Sequence, residues 1–175
     1  MTYRFKSKKA FTLIEILVSV SILAVLILAL NRIYFSINTR NKLTREQSLV
    51  QADIEYFLRL ATNNIKVAEK SNGGDCGIAA NKFFKLSSNG DRLVFIKDGN
   101  CQSFFREEDF DGRGELYYNQ EALSSKGINI TDLKFLVEDD IATGQPIVTV
   151  LVKAVPVLNL DNQIKAQTSI SLSYY

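Results

Sequence analysis

The side chains that carry most acid–base and nucleophilic chemistry are poorly represented in this sequence. Its 175 residues include no histidine, which is the commonest general base and the commonest metal ligand. A Ser-His-Asp or Cys-His triad and a Cys/His zinc finger are therefore excluded. What remains is the chemistry of carboxylates and of two cysteines, from which we predict no catalytic residue and no cofactor.

Carboxylates at alternate positions form one candidate site. Asp109, Asp111 and Glu115 occur with glycines that allow a bend, which is how a short calcium loop begins. However, the full twelve-residue calcium pattern is absent, and Arg113 places a cation among the candidate ligands. We therefore favour an acidic solvated turn between strands, with calcium as the weaker alternative.

The two cysteines, Cys76 and Cys101, lie far downstream of the longest apolar segment. If that segment places the rest of the chain outside the cytoplasm, the pair is expected to form a disulfide. Closing a loop of this length would contribute about 3 kcal/mol of stability. The alternative is two reduced thiols, because spacing alone does not show that the sulfurs meet.

Glu15 is the most unusual residue, because it lies inside an apolar run over residues 11–30. Twenty helical residues span about 30 Å, the thickness of a bilayer core. Lys6, Lys8 and Lys9 precede the run, and the positive-inside rule keeps their end cytoplasmic. The pattern predicts a single membrane span with the C-terminal bulk outside the cytoplasm.

Three interpretations of Glu15 compete. In a plain anchor, the carboxylate would be hydrated near the membrane interface. In a secretory signal peptide, it would be misplaced within the apolar core, and an Ala-x-Ala cleavage site is missing. In the third, cleavage just before Phe11 creates an α-amino group that pairs with Glu15 of a neighbouring chain. Only the third supplies the buried carboxylate with a partner.

The residues that carry this interpretation form a motif. A basic leader, a small residue, Phe11-Thr-Leu-Ile-Glu15 and a long apolar run together resemble the N-terminus of type IV prepilins. That family includes the pseudopilins of type II secretion and the DNA-uptake pilins. The resemblance implies cleavage between Ala10 and Phe11, N-methylation of Phe11 and an assembly role for Glu15. Members usually have glycine before the cut; Ala10 is also small, so cleavage is still expected.

The same resemblance implies partners and a location. The partners would be other pilin or pseudopilin subunits, a prepilin peptidase, the inner-membrane assembly platform, and membrane lipid before assembly. The protein would begin as a single-pass inner-membrane protein and end in a pilus or pseudopilus, at the cell surface or in the periplasm. Nucleic acid is not expected, because the 165 residues after the leader hold 17 basic and 19 acidic side chains.

The remaining sequence predicts an α+β fold with one long helix packed on an antiparallel β-sheet, and the resemblance implies that this is the pilin fold. Apolar residues at steps of three, four and seven follow the span, which favours a continuous helix from residue 11 to about Glu69. The predicted organisation is a cleaved leader (1–10), an assembly half of the helix (11–35), an amphipathic half (36–70) and a globular domain (71–175).

Alternating segments in the globular domain predict its strands. Residues 82–87 and 92–97 flank Ser-Asn-Gly-Asp, a hairpin signal, and Cys76 and Cys101 bracket that hairpin. Phe104 and Phe105 are interpreted as sheet residues on opposite faces. Further strands are predicted at 115–119, 128–138, 147–155 (the most apolar, hence central) and 164–174. The acidic pair Asp139–Asp140 is assigned to a hairpin loop.

The sequence therefore predicts a structural filament subunit and not an enzyme. The later strands also resemble minor pilins of the PilW kind and the J-type minor pseudopilin, which favours a minor subunit. The alternatives are a single-pass membrane-anchored enzyme or ligand-binding domain, and a DNA-uptake (competence) pilin.

Overall fold

The computed structural model describes residues 12–138, 146–157 and 162–172. Helix α1 spans Leu13–Ile65, and no glycine or proline interrupts it. The chain divides into two compact units, residues 1–43 and 44–175, and α1 contributes to both. In the first unit, every described side chain is exposed.

The helix ends four residues earlier than the sequence pattern predicts. Glu69 has left the helix, and its N–H donates to the carbonyl of Ile96 at 2.8 Å. Its carboxylate accepts hydrogen bonds from the N–H groups of Asp98, at 2.7 Å, and Gly99, at 3.3 Å. Glu69 therefore binds a turn of the β-sheet, and these contacts outweigh one more helical turn.

Residues 44–65 form the helical side of the second unit. Its buried apolar residues recur at steps of three or four: Val50, Ile54, Phe57, Ala61 and Ile65. They belong to one core cluster with residues of the sheets, as the amphipathic pattern predicts.

After the helix, the described residues form eight strands in two antiparallel sheets, where one sheet was predicted. The strands are β1 (Phe84–Leu86), β2 (Arg92–Lys97), β3 (Asn100–Glu108), β4 (Gly114–Tyr118), β5 (Glu121–Ala122), β6 (Ile128–Glu138), β7 (Ile147–Pro156) and β8 (Ile164–Ser171). The first sheet has the order β1-β2-β3-β4-β5 and the second β6-β7-β8. The β1–β2 hairpin and the central position of β7 are confirmed. Strand β3 was missed as an element, although Phe104 and Phe105 were assigned to a sheet.

Single hydrogen bonds, two of them from or to side chains, join the two sheets where no strand ladder does. The amide of Gly114 donates to Asn129 Oδ1 at 2.9 Å, and Arg106 Nε donates to the carbonyl of Ile130 at 2.6 Å. The amide of Phe135 donates to the carbonyl of Gly90 at 2.7 Å. These bonds satisfy polar groups along the edge of β6 that faces the first sheet.

Aromatic rings fill the space between α1 and the first sheet. The ring of Phe104 lies 5.6 Å from Phe57, 5.8 Å from Phe95 and 4.7 Å from Tyr118. Next to this aromatic cluster, the Oδ1 atom of the buried Asn64 accepts hydrogen bonds from Lys97 Nζ at 2.8 Å and from Tyr118 Oη at 3.3 Å. The core thus combines apolar packing with a satisfied polar group that fixes the helix on the sheet.

In the C-terminal part of the chain, Ile170 and Leu172 are both buried, and their spacing of two places them on one face of the extended backbone. The last residues of the strand predicted at 164–174 lie outside the described residues, as does the predicted loop containing Asp139–Asp140. The strands that this loop connects, β6 and β7, pair up to Glu138 and Ile147.

Candidate functional site

Thr12 and Glu15 form a reciprocal helix cap at the start of α1. The Glu15 carboxylate (Oε2) accepts hydrogen bonds from the Thr12 backbone N–H and from Thr12 Oγ1, both at 3.1 Å. In return, Thr12 Oγ1 accepts a bond from the Glu15 N–H at 3.3 Å. This arrangement is a capping box, which satisfies donors that a helix start leaves unpaired. Sequence reasoning missed Thr12, although the Thr-x-x-Glu spacing is a recognisable capping signal.

The cap occupies only part of the Glu15 carboxylate. Among the described residues, its other oxygen, Oε1, makes no hydrogen bond, and the residue is exposed. The carboxylate also lies at the positive end of the helix dipole. It can therefore cap its own helix and still offer an oxygen to a cation from another molecule. Ala10 and Phe11, the predicted processing residues, lie outside the described part of the chain.

The helix that follows Glu15 has the composition of a membrane span. The helix is long and apolar enough to cross a membrane, and none of its most apolar 18 residues is buried in the protein. The hydroxyls of Ser19 and Ser21 donate to the carbonyls of Glu15 and Leu17 at 2.7 and 2.8 Å. Because those polar groups are satisfied within the helix, they cost little in an apolar environment.

The predicted disulfide joins Cys76 and Cys101, with 5.5 Å between their Cα atoms. Cys76 belongs to a short 3₁₀ turn (Asp75–Gly77) that precedes the first sheet. Cys101 pairs in register with Ile96 of β2, close to the end of the β1–β2 hairpin that the sequence analysis placed between the cysteines. The bond therefore fastens the segment after α1 to the sheet.

The calcium candidates are arranged around a cation from their own chain. Arg113 Nη2 lies 2.9 Å from Asp109 Oδ2 and 2.7 Å from Asp111 Oδ2. Glu115 is engaged elsewhere, since its Oε2 accepts a hydrogen bond from Tyr117 Oη at 2.9 Å. Among the described residues, no cluster of three potential metal ligands is found. The geometry favours the acidic turn over a calcium loop.

The electrostatics of this turn follow from its hydrogen bonds. A backbone bond from the Arg113 N–H, helped by the Asp111 N–H and by the charge of Arg113, lowers the pKa of Asp109. The hydrogen bond to Glu115, together with burial and nearby carboxylates, raises the pKa of Tyr117. The turn therefore keeps Asp109 ionised and Tyr117 protonated near neutral pH.

Comparison with protein-family models gives one match. Residues 5–31 match the model of the prokaryotic N-terminal methylation motif. The match contains the capping pair, the predicted processing residues and the apolar part of α1, and it supports a type IV pilin-like protein. Comparisons with curated proteins and with solved structures returned no match, and the specific minor pilin type is not confirmed.

Proposed function

We propose that this chain is a structural subunit of a type IV pilus or of a type II secretion-like pseudopilus. The observation that carries the proposal is the position of Glu15, an exposed carboxylate within the matched methylation motif and within an apolar, exposed helix. An ionised group in such surroundings is costly in a membrane unless it is paired. An assembled array of helices supplies both the apolar contacts and the pairing partner.

The proposed path has three steps. The basic leader, residues 1–10, holds the N-terminus in the cytoplasm while the apolar segment enters the inner membrane. Prepilin peptidase then cleaves between Ala10 and Phe11, and Phe11 is N-methylated. Finally, the inner-membrane platform extracts the subunit, and the amino group of one chain pairs with Glu15 of its neighbour.

We further propose a minor subunit, one that is less abundant than the main subunit of its filament. This rests on the resemblance of β6, β7 and β8 to strands of minor pilins and of the J-type minor pseudopilin. A minor subunit in this sense can still occupy adjacent positions. Its abundance relative to the other subunits in purified filaments tests the assignment.

The other candidates rest on fewer observations. A membrane-anchored enzyme or binding domain would require a catalytic or ligand site, and the acidic turn is occupied by Arg113. A DNA-uptake pilin would require a basic surface to neutralise phosphates, and the chain after its leader is slightly acidic.

The test is the mass of the protein recovered from cells and its location. We expect a mature chain that begins at Phe11, carries one added methyl group, and is present in sheared filaments. In cells without prepilin peptidase, residues 1–10 should be retained and the protein should stay in the membrane. A protein that keeps residues 1–10 in normal cells and never enters a filament would contradict the proposal.

A further inference from the structure

Phe110, in the turn between β3 and β4, is the most exposed large apolar residue in the described part of the chain. Its relative accessibility is 111%, compared with 81% for Leu13 at the start of the apolar helix. Aromatic side chains that are exposed at a surface and buried by a partner contribute strongly to binding. Phe110 is not part of the protein's own core cluster, so its ring is free to contact a partner.

Several hydrogen bonds hold the backbone of the turn that carries Phe110. The Asp109 Oδ1 atom accepts bonds from the N–H groups of Asp111 and Arg113 at 2.8 and 3.0 Å. The Gly112 N–H donates to the Asp109 carbonyl at 3.0 Å, and Arg113 Nη1 reaches the carbonyl of Lys126 at 3.2 Å. A backbone held in this way loses little conformational freedom when the turn binds a partner.

Acidic residues flank Phe110 along the hairpin, and we call Glu107, Phe110, Asp111 and Glu115 the acidic tip. Glu107 lies directly opposite Glu115 in the β3–β4 register, and like charges in that position repel each other. Residues 106–115 contain five acidic and two basic side chains. The two arginines pair with acids of the same hairpin, Arg106 with Glu108, and Arg113 with Asp109 and Asp111. Five acids and two arginines leave this hairpin with a net charge of −3. The acidic tip therefore suits a partner with cations around an apolar surface.

Such a surface exists on the first part of α1. No acidic residue lies between Glu15 and Glu46. Arg32, Phe35 and Lys42, separated by three and seven residues, share one helix face, and all three are exposed. Phe35 itself is 68% exposed. We call these three residues the basic aromatic face; it places one aromatic ring between two cations.

We propose that the acidic tip of one copy binds the basic aromatic face of a second copy, with Phe110 against Phe35 and the carboxylates beside Arg32 and Lys42. The inference rests on the proposed function, because it describes how neighbouring subunits meet. Two different surfaces meet in this contact, so it can form wherever two copies are neighbours in a filament. Anionic lipid headgroups and nucleic acid would be repelled by the acidic tip.

A second surface of the chain fits the acidic tip less well. An open groove of about 760 Å³ lies between α1 and β8. Its one arginine, Arg59, already lies 3.9 Å from Glu55. The groove therefore lacks two cations on either side of an apolar side chain, which the basic aromatic face has.

Cross-linking between two full-length copies tests the contact. Cells express one copy with Phe110→Cys and one tag, and another with Phe35→Cys and a second tag; sheared filaments are treated with a short bismaleimide. We expect a dimer that carries both tags. The matched control replaces Phe110→Cys with Leu136→Cys, on β6 and 54% exposed, and should give several-fold less dimer. If Phe35→Cys does not enter filaments, Asn38→Cys, one turn along the same face, replaces it.

Charge reversal adds a second measurement on the same cysteine pair. Glu107→Lys, placed on the tip copy, and Lys42→Glu, placed on the helix copy, should each lower the dimer yield roughly two- to fivefold, the size expected of one exposed ion pair. The two together should restore it. Three results would overturn this inference but not the proposed function. They are as much dimer from the Leu136→Cys control as from Phe110→Cys, no dual-tag dimer although both chains are in filaments, and an unchanged dimer yield after either charge reversal. Absence of the chain from filaments would overturn the proposed function as well.

Discussion

Glu15 caps its helix and, in the proposed function, also pairs with a neighbouring chain; a single substitution can separate the two. Its Oε2 atom caps the helix by bonding Thr12, and glutamine at the same position can make the same cap. Pairing with the amino group of a neighbouring chain, in contrast, requires the negative charge. Helix start and assembly therefore depend on different properties of one side chain.

We predict that Glu15→Gln keeps the helix but enters filaments as poorly as Glu15→Ala. The measurement is the ratio of filament to membrane protein by immunoblot. Thr12→Ala is the matched control, because it removes the cap, worth about 1 kcal/mol, and keeps the charge; its incorporation should stay close to normal. Normal incorporation of Glu15→Gln would show that capping, and not charge, is what assembly requires.

Gly114 is constrained by the join between the two sheets. A Cβ atom at this position would overlap the carbonyl oxygen of Ile130 and the guanidinium of Arg106. Both neighbours are held, because Arg106 donates to that same carbonyl. A methyl group therefore has to force the sheets apart.

We predict that Gly114→Ala lowers the free energy of unfolding by about 1–3 kcal/mol, the usual cost of overpacking. Urea unfolding of the full chain in mild detergent measures it. Gly127→Ala is the control, since a Cβ there meets nothing within 4 Å, and it should change stability little. An equal effect of the two substitutions would argue against the overlap.

Among the elements, the disulfide connects the segment after α1 to the first sheet. It closes a loop of 25 residues between Cys76 and Cys101, and cross-links of this length stabilise a fold by about 3 kcal/mol. We predict that the double variant Cys76→Ser/Cys101→Ser loses about this much in the same urea experiment. Adding a reductant to the native chain should produce the same loss, and to the double variant none. A native chain insensitive to reductant would contradict the prediction.

The elements that the sequence predicts well are those with a strong local period. The helical stripe from Val50 to Ile65 and the alternation in β6 and β7 match the structure because one face of each element is buried. Strand β3 was missed because it begins with polar residues and because Phe104 and Phe105 are both buried. On the outer face of the sheet, Phe105 is covered by the stacked ring of Tyr117 and by Arg92, whose Cζ lies 4.0 Å from the Phe105 ring centroid. A local sequence pattern does not predict burial by residues of neighbouring strands.

The division into two sheets and the early end of α1 depend on contacts between residues far apart in sequence. Glu69 binds a turn about thirty residues away, and Asn129 reaches Gly114 across the sheets. At the candidate site, the motif around Glu15 was visible in the sequence, and so was Arg113 as a rival to calcium. The exposure of Phe110 was not, because an aromatic residue between acids in a turn gives no sign of which way it points.

At the scale of the whole molecule, the two units differ in whether they bury their own apolar residues. The first, residues 1–43, contains the apolar, exposed part of α1 and has no packed core among its described residues. The second, residues 44–175, has a continuous core that includes the second part of α1 and both sheets. The first unit therefore needs a membrane or neighbouring helices to cover it, whereas the second should be stable by itself.

We predict that a chain of residues 42–175 folds as a soluble monomer and does not enter filaments. Its helix can begin at Thr44, because Thr44 and Gln47 have the spacing of a capping box. We expect one cooperative unfolding transition with a free energy in the range of about 5–15 kcal/mol, measured by circular dichroism in urea, and a monomer by gel filtration.

Thr44→Ala should lower that stability by about 1 kcal/mol in the short chain and have little effect in the full chain, where Thr44 lies inside α1. Aggregation of the short chain, or a gradual transition, would show that the second unit depends on the first for its fold.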